Sequence, residues 1–95
     1  MKEKSDIPIS YHLNQNHPNP FNAGTTIAFS IPQSGFITLT VYDIRGNEIA
    51  ELLSEKFPAG HHVYNWQAEN LPSGMYFLQI EADRFVQTRK LVLMK

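Results

Sequence analysis

A chain of 95 residues, 42% of them hydrophobic, supplies one domain with one core. It has no cysteine, which excludes a disulfide framework and a thiolate-held metal, so burial alone must stabilise a small domain with a thin stability margin. A net charge of −1 argues against a broad cationic nucleic-acid surface, and no apolar run approaches the ~18 residues of a membrane span.

The opening Met1–Asp6 is polar and lacks the apolar stretch of a signal peptide. None is expected in this segment, and an exported parent would carry its leader further upstream. Residues 1–10 read as a linker, followed by a domain over residues 11–95. Tyr11-His12-Leu13 can form a short edge strand. From Asn14 to Asn22 the chain is rich in amides around Pro18 and Pro20. Each proline pushes the residue before it into an extended conformation, so a rigid, kinked connector is expected, anchored by Phe21.

Thr25 to Ile31 alternates, with Ile27, Phe29 and Ile31 on one side. After the turn signal Pro32-Gln33-Ser34-Gly35, Phe36 to Asp43 alternates again, with Ile37, Leu39 and Val41 inward. Both runs favour β-branched residues and read together as a hairpin. Beyond Arg45-Gly46-Asn47 the pattern is ambiguous. Ile49, Leu52 and Leu53 stand at helical spacing among good helix formers, yet the run is about two turns long and ends at Pro58. The local pattern divides evenly between strand and helix.

After Pro58-Ala59-Gly60, the residues His62, Tyr64 and Trp66 alternate inward. Leu71-Pro72-Ser73-Gly74 is a tight connection. Tyr76, Leu78 and Ile80 share one face of the next strand, and Tyr76 stands where a tyrosine corner bonds its hydroxyl back to the preceding loop. Ala82-Asp83 turns into a last strand, Phe85 to Met94, with neither face purely apolar. Residues 1–83 carry four basic and nine acidic groups, whereas residues 84–95 carry Arg84, Arg89, Lys90 and Lys95 and no acid. This basic end reads first as a strand with a solvated face and second as a recognition element. About seven short strands, with turn signals every 8–12 residues, predict an all-β, Ig-like antiparallel β-sandwich. Its expected core includes Phe29, Leu39, Val41, Trp66, Tyr76, Leu78 and Leu91.

Catalysis finds little support. His61 and His62 are neighbours on a strand and face opposite sides, and His12 and His17 lie in irregular chain without a convergent third ligand. No serine occupies a strand-to-helix elbow, and no glycine-rich phosphate loop is present. Arg45-Gly46-Asn47 lacks the Asp of an integrin-binding tip. Trp66, Tyr64, Tyr76 and Phe77 form a core more readily than a carbohydrate-stacking platform, because three of them alternate inward. Neither an enzyme nor a cofactor or metal is expected.

Several segments in order carry a resemblance. They are Gln15-Asn16-His17-Pro18-Asn19-Pro20-Phe21-Asn22, Thr25-Thr26-Ile27, Val41-Tyr42-Asp43-Ile44-Arg45-Gly46, Ala59-Gly60-His61-His62, Trp66, Leu71-Pro72-Ser73-Gly74-Met75-Tyr76 and the closing Gln87–Lys95. This series resembles the C-terminal sorting domain of the bacterial type IX secretion system, over roughly residues 11–95. His17 replaces an aromatic residue and Ala23 a proline of the usual opening motif. The resemblance implies an Ig-like sandwich at the end of a covalently fused N-terminal cargo, and it assigns residues 48–54 to a strand. It also implies a non-catalytic address label that directs the cargo across the outer membrane. The partners would be type IX translocon components and a sortase-like peptidase, with transit through the periplasm to the cell surface or medium. Arg89, Lys90 and Lys95 become the candidate translocon-recognition residues, at the end of a last strand where a partner could either add a strand to an exposed edge or grip the cationic end. Similar Ig-like modules occur as hook-capping domains of flagella and as accessory modules of extracellular glycoside hydrolases, and the alternative reading is such a module, retained as a spacer or binding domain of an extracellular enzyme or adhesin.

Overall fold

The computed structural model describes residues 7–95, and every described element is a strand. They are β1 (His12–Leu13), β2 (His17–Asn22), β3 (Gly24–Ile31), β4 (Gly35–Tyr42), β5 (Glu48–Phe57), β6 (Gly60–Gln67), β7 (Gly74–Ala82) and β8 (Phe85–Leu93). Eight strands stand where about seven are expected, because residues 17–22 form β2 rather than a mere connector. Of the proposed linker, residues 1–6 lie outside the described part. Residues 7–10 belong to no strand and leave Ile7 and Ile9 exposed.

The strands make a β-sandwich. In one sheet β3 is central, pairing antiparallel with β6 on one side and with β1 and β2 on the other. The second sheet runs β5-β4-β7-β8, all antiparallel. The hairpin expected between β3 and β4 does not form: their apolar faces meet across the core, so the two strands lie in different sheets and residues 32–34 carry the chain from one sheet to the other. One parallel contact, Phe21 with Leu93, joins β2 to β8 and links the sheets. Period-two alternation decides which side chains lie between them. Ile27, Phe29 and Ile31 of β3 face Ile37, Leu39 and Val41 of β4, Tyr76, Leu78 and Ile80 of β7, and Leu91 and Leu93 of β8, all buried. Leu13, Phe21 and Trp66 complete the core.

β5 explains its own ambiguity. It pairs with β4 along its whole length, but the register slips between Leu39 and Thr40 and again between Val41 and Tyr42. Each slip inserts one extra residue into β5, Leu52 and then Ile49. A bulge breaks the alternation and re-aims the side chains around it. Ile49, Ala50, Leu52 and Leu53 therefore all pack against the core from a strand, and their spacing imitates a helix.

Turn chemistry closes the hairpins. Ala23 takes φ 72° between β2 and β3, and Asp83 takes φ 56° between β7 and β8. Ala23 is thus left-handed at the position where the resembled motif has proline, whose ring holds φ near −65°. Tyr76 is a tyrosine corner: its hydroxyl donates to the Pro72 carbonyl at 2.6 Å. Trp66 packs on Phe21, with ring centroids 5.9 Å apart, and is 7% exposed. Trp66→Ala is expected to cost about 3–5 kcal/mol, a large part of the stability of so small a domain. A thermal melt within a few degrees of the parent would show that this contact is not structural.

Candidate functional site

Two of the segments that carry the resemblance, Gln15–Asn22 and Gln87–Lys95, are one site in space. β8 is the last strand of its sheet. Its outward backbone groups at Lys90, Val92 and Met94 point away from β7, toward the N-terminal segment. An unpaired row of this kind normally attracts another strand. The segment before β3 covers it, although Pro18 and Pro20 have no N–H to give to a ladder.

Side-chain amides replace the missing backbone groups. Asn19 presents its amide to β8 like a peptide unit: Oδ1 accepts from Val92 N–H at 3.0 Å, and Nδ2 donates to the Lys90 carbonyl at 3.4 Å. Gln15 Nε2 donates to the same carbonyl at 2.7 Å. Met94 N–H donates to the Phe21 carbonyl at 2.8 Å. One step earlier the roles reverse. Leu13 of β1 donates its N–H to Gln87 Oε1 and accepts from Arg89 Nε, both at 2.8 Å. The last residue is tied as well: Lys95 N–H donates to Ser73 Oγ at 3.0 Å and Lys95 Nζ to the Glu69 carbonyl at 2.5 Å.

A buried polar knot fixes the segment itself. Asn16 is 2% exposed. Its Nδ2 donates to the Pro18 carbonyl at 3.1 Å and to Thr25 Oγ1 at 3.0 Å, and its Oδ1 accepts from Gln15 Nε2 at 2.7 Å. Thr25, also buried, donates its hydroxyl to the Pro18 carbonyl at 2.9 Å. Both amide protons and the oxygen of Asn16 are thus satisfied, as a buried amide requires.

The open edge expected on β8 is therefore corrected: residues 13–21 occupy it. The expected recognition residues separate accordingly. Arg89 is half-buried, with its guanidinium on Leu13, so it ties the sheets together. The Lys90 side chain is exposed on the outer face while its carbonyl is held. Lys95 is exposed and anchored to the β6–β7 connection. Sequence reasoning overlooked Gln15, Asn16 and Asn19 as a clasp. Their signal was the density of amides around two prolines, side chains able to supply the hydrogen bonds that proline removes.

The histidines do not converge. His62 packs inward against Phe29 and Phe57, and its Nε2 donates to the Pro58 carbonyl at 2.7 Å, since a carbonyl only accepts. His61 turns outward to Ser30, with Nδ1 and Oγ 2.8 Å apart. Among the described residues no group of three or more His, Asp or Glu is placed to hold a metal. Nor is any helix there long and apolar enough to cross a membrane. Phe77 lies on the outer face, apart from Trp66 and Tyr76 in the core, so these aromatics form no common platform.

The β4–β5 turn wraps the Asp43 carboxylate in hydrogen-bond donors. Asp43 lies below the usual carboxylate range chiefly because it accepts from the Asn47 backbone N–H. The Arg45 N–H, the Asn47 side-chain amide and the Arg45 charge act in the same direction, and partial desolvation opposes them. Gly46, at φ 87°, completes the turn.

The family model for the secretion system C-terminal sorting domain matches residues 15–94. This span begins at the first amide of the clasp and ends at the strand it holds. The chain belongs to the secretion system C-terminal sorting domain family. It is a C-terminal sorting signal for type IX secretion, and its destination is the cell surface or the medium. No curated relative matches the chain.

Two outcomes follow from this geometry. Asn19→Leu leaves Val92 N–H without its acceptor, so the Val92 amide should exchange with solvent faster, whereas Asn19→Asp keeps that acceptor and should retain most of the protection. The stability loss for Asn19→Leu should be about 0.5–1.5 kcal/mol. NMR hydrogen exchange on both variants checks this, and equal protection in all three proteins would remove the clasp. A depressed carboxyl pKa contributes stability above its unfolded value, about 3.9 for Asp, and that stability is lost as pH falls through the folded value. The stability difference between the parent and Asp43→Asn should therefore shrink as pH drops below about 4. Denaturant titrations at several pH values read it.

Proposed function

We propose that the sorting domain acts as a folded, non-catalytic address, read at its clasped C-terminal end by components of the type IX translocon during transit through the periplasm. Arg89, Lys90 and Lys95 are the proposed contact residues, and residues 1–10 the proposed linker to the N-terminal cargo, where a sortase-like peptidase cuts. One observation supports this reading above the others. The two ends of the matched span, residues 15–21 and 87–95, are held together by hydrogen bonds, so the basic end is displayed only by a folded domain. An address read as a surface fits this arrangement better than one read as an unfolded tail. The family match also favours a sorting signal over a retained accessory module.

The test separates reading from folding. Deletion of residues 90–95 removes the buried Leu91 and Leu93 and unfolds the domain, so it does not isolate the signal. Arg89→Glu also breaks the bond to Leu13 and is scored separately. Lys90→Glu with Lys95→Glu changes exposed side chains and gives up one exposed bond, from Lys95 Nζ to the Glu69 carbonyl, while the Lys95 N–H keeps its bond to Ser73; surface changes of this kind usually alter stability by no more than about 1 kcal/mol. Fused to a reporter cargo in a type IX host, the folded double variant should accumulate in the periplasm. Normal secretion of that variant, with an unchanged circular dichroism spectrum, would show that these two cations are not read.

A further inference from the structure

The outer face of the second sheet carries a charge pattern that the clasp and the core do not use. Cross-strand partners share a face, so the register defines rows across β5, β4, β7 and β8. One row reads Glu48, Tyr42, Phe77, Lys90. Glu48 and Lys90 are exposed at its two ends, and the half-buried Tyr42 and Phe77 lie between them. The next row reads Glu51, Thr40, Gln79, Thr88, and the one after it Ser54, Thr38, Glu81, Val86. On the other side of the aromatic row lie Met75, 43% exposed, and Val92. A recess of about 430 Å³ opens beside it, floored by Tyr42 and Phe77 and rimmed by Ile44, which is 69% exposed.

The pattern is self-complementary about one axis. A two-fold axis along the strands, between β4 and β7, sets β5 of one copy opposite β8 of the other and β4 opposite β7. Glu48 then meets Lys90 twice, Tyr42 meets Phe77 twice, Glu51 meets Thr88, and Glu81 meets Thr38. No two like charges among these rows are opposed. An axis across the strands through the aromatic row would set Glu48 against Glu48 and Lys90 against Lys90, and like-charge juxtaposition disfavours it. We propose that this face is an isologous interface with a second copy of the chain, its sheets packed face to face with the strands nearly aligned. Four strands at ~4.8 Å spacing and about eight residues at ~3.4 Å give roughly 500 Å² per copy. Such an area is at the low end of specific interfaces, so the dimer is weak and concentration-dependent. Because Lys90 is covered in it, self-association and reading of the Lys90 side chain exclude one another.

Sedimentation equilibrium of the 95-residue chain, from about 10 µM to about 1 mM, tests this at a range suited to so small an interface. The parent should show a monomer–dimer equilibrium. Glu48→Lys alone and Lys90→Glu alone each place like charges opposite one another twice, and each should weaken the dimer about tenfold or more. Glu48→Lys with Lys90→Glu restores opposite charges across the two-fold axis and should return the dimer to near its parental strength. This readout is in vitro and independent of export, so its failure leaves the sorting role standing. A monomer throughout the range would overturn the proposal. So would a dimer indifferent to the single reversals, which would place association on another surface, or a double variant no stronger than the singles. Circular dichroism confirms that each variant is folded.

Discussion

The edge of β8 is the constraint on which the rest of the structure depends. A terminal strand with bare N–H and C=O groups invites any passing strand, and this one also supplies Leu91 and Leu93 to the core. The chain closes the edge with its own residues 13–21, but that segment contains two prolines. Proline cannot donate to a ladder. The amides of Gln15 and Asn19 and the carbonyl of Phe21 make the bonds instead. The buried Asn16–Thr25 knot holds those groups in place. The beginning and the end of the domain therefore stabilise each other, and neither end makes the site alone. Contacts separated by more than seventy residues carry a high loop-closure cost. The surface they create accordingly exists only where the two ends have met.

Elsewhere the exposed edges are protected by other means. β5 pairs with β4 alone, and its two bulges twist it away from a flat ladder while Glu51, Glu55 and Lys56 place charge along it. Charges and bulges are the usual defences of an edge strand. The absence of cysteine fits the same economy, since the domain holds itself by burial and hydrogen bonds that do not depend on redox state.

What the sequence revealed tracks how local each cause is. The alternation of Ile27, Phe29 and Ile31, and of Tyr76, Leu78 and Ile80, is a property of single strands, and these segments were legible residue by residue. So was the tyrosine corner, because its donor and acceptor lie four residues apart. Ile49, Leu52 and Leu53 were not, because a bulge is a relation between two strands and leaves no mark on one of them. The strand assignment there came from resemblance rather than from pattern. β2 was hidden for a similar reason: proline argues against a strand, and the amides that compensate find their partners far along the chain, at Lys90 and Val92. The reading of β8 as an open edge failed on the same missing information, since what covers an edge is written elsewhere in the sequence.

Lys90 shows why backbone and side chain have to be considered apart at such a site. Its carbonyl accepts from Gln15 and Asn19 and belongs to the clasp, whereas its ammonium group stands on the outer face beside Phe77. A substitution at Lys90 changes the outer face and leaves the clasp intact, because any residue there keeps the backbone carbonyl that the clasp uses. A substitution at Asn19 does the reverse. Arg89 lacks this separation: its guanidinium is itself the bond between the sheets, so a change there alters charge and architecture together. Display of the basic end and its attachment to the fold are thus assigned to adjacent residues, and alternation along β8 keeps them on opposite faces.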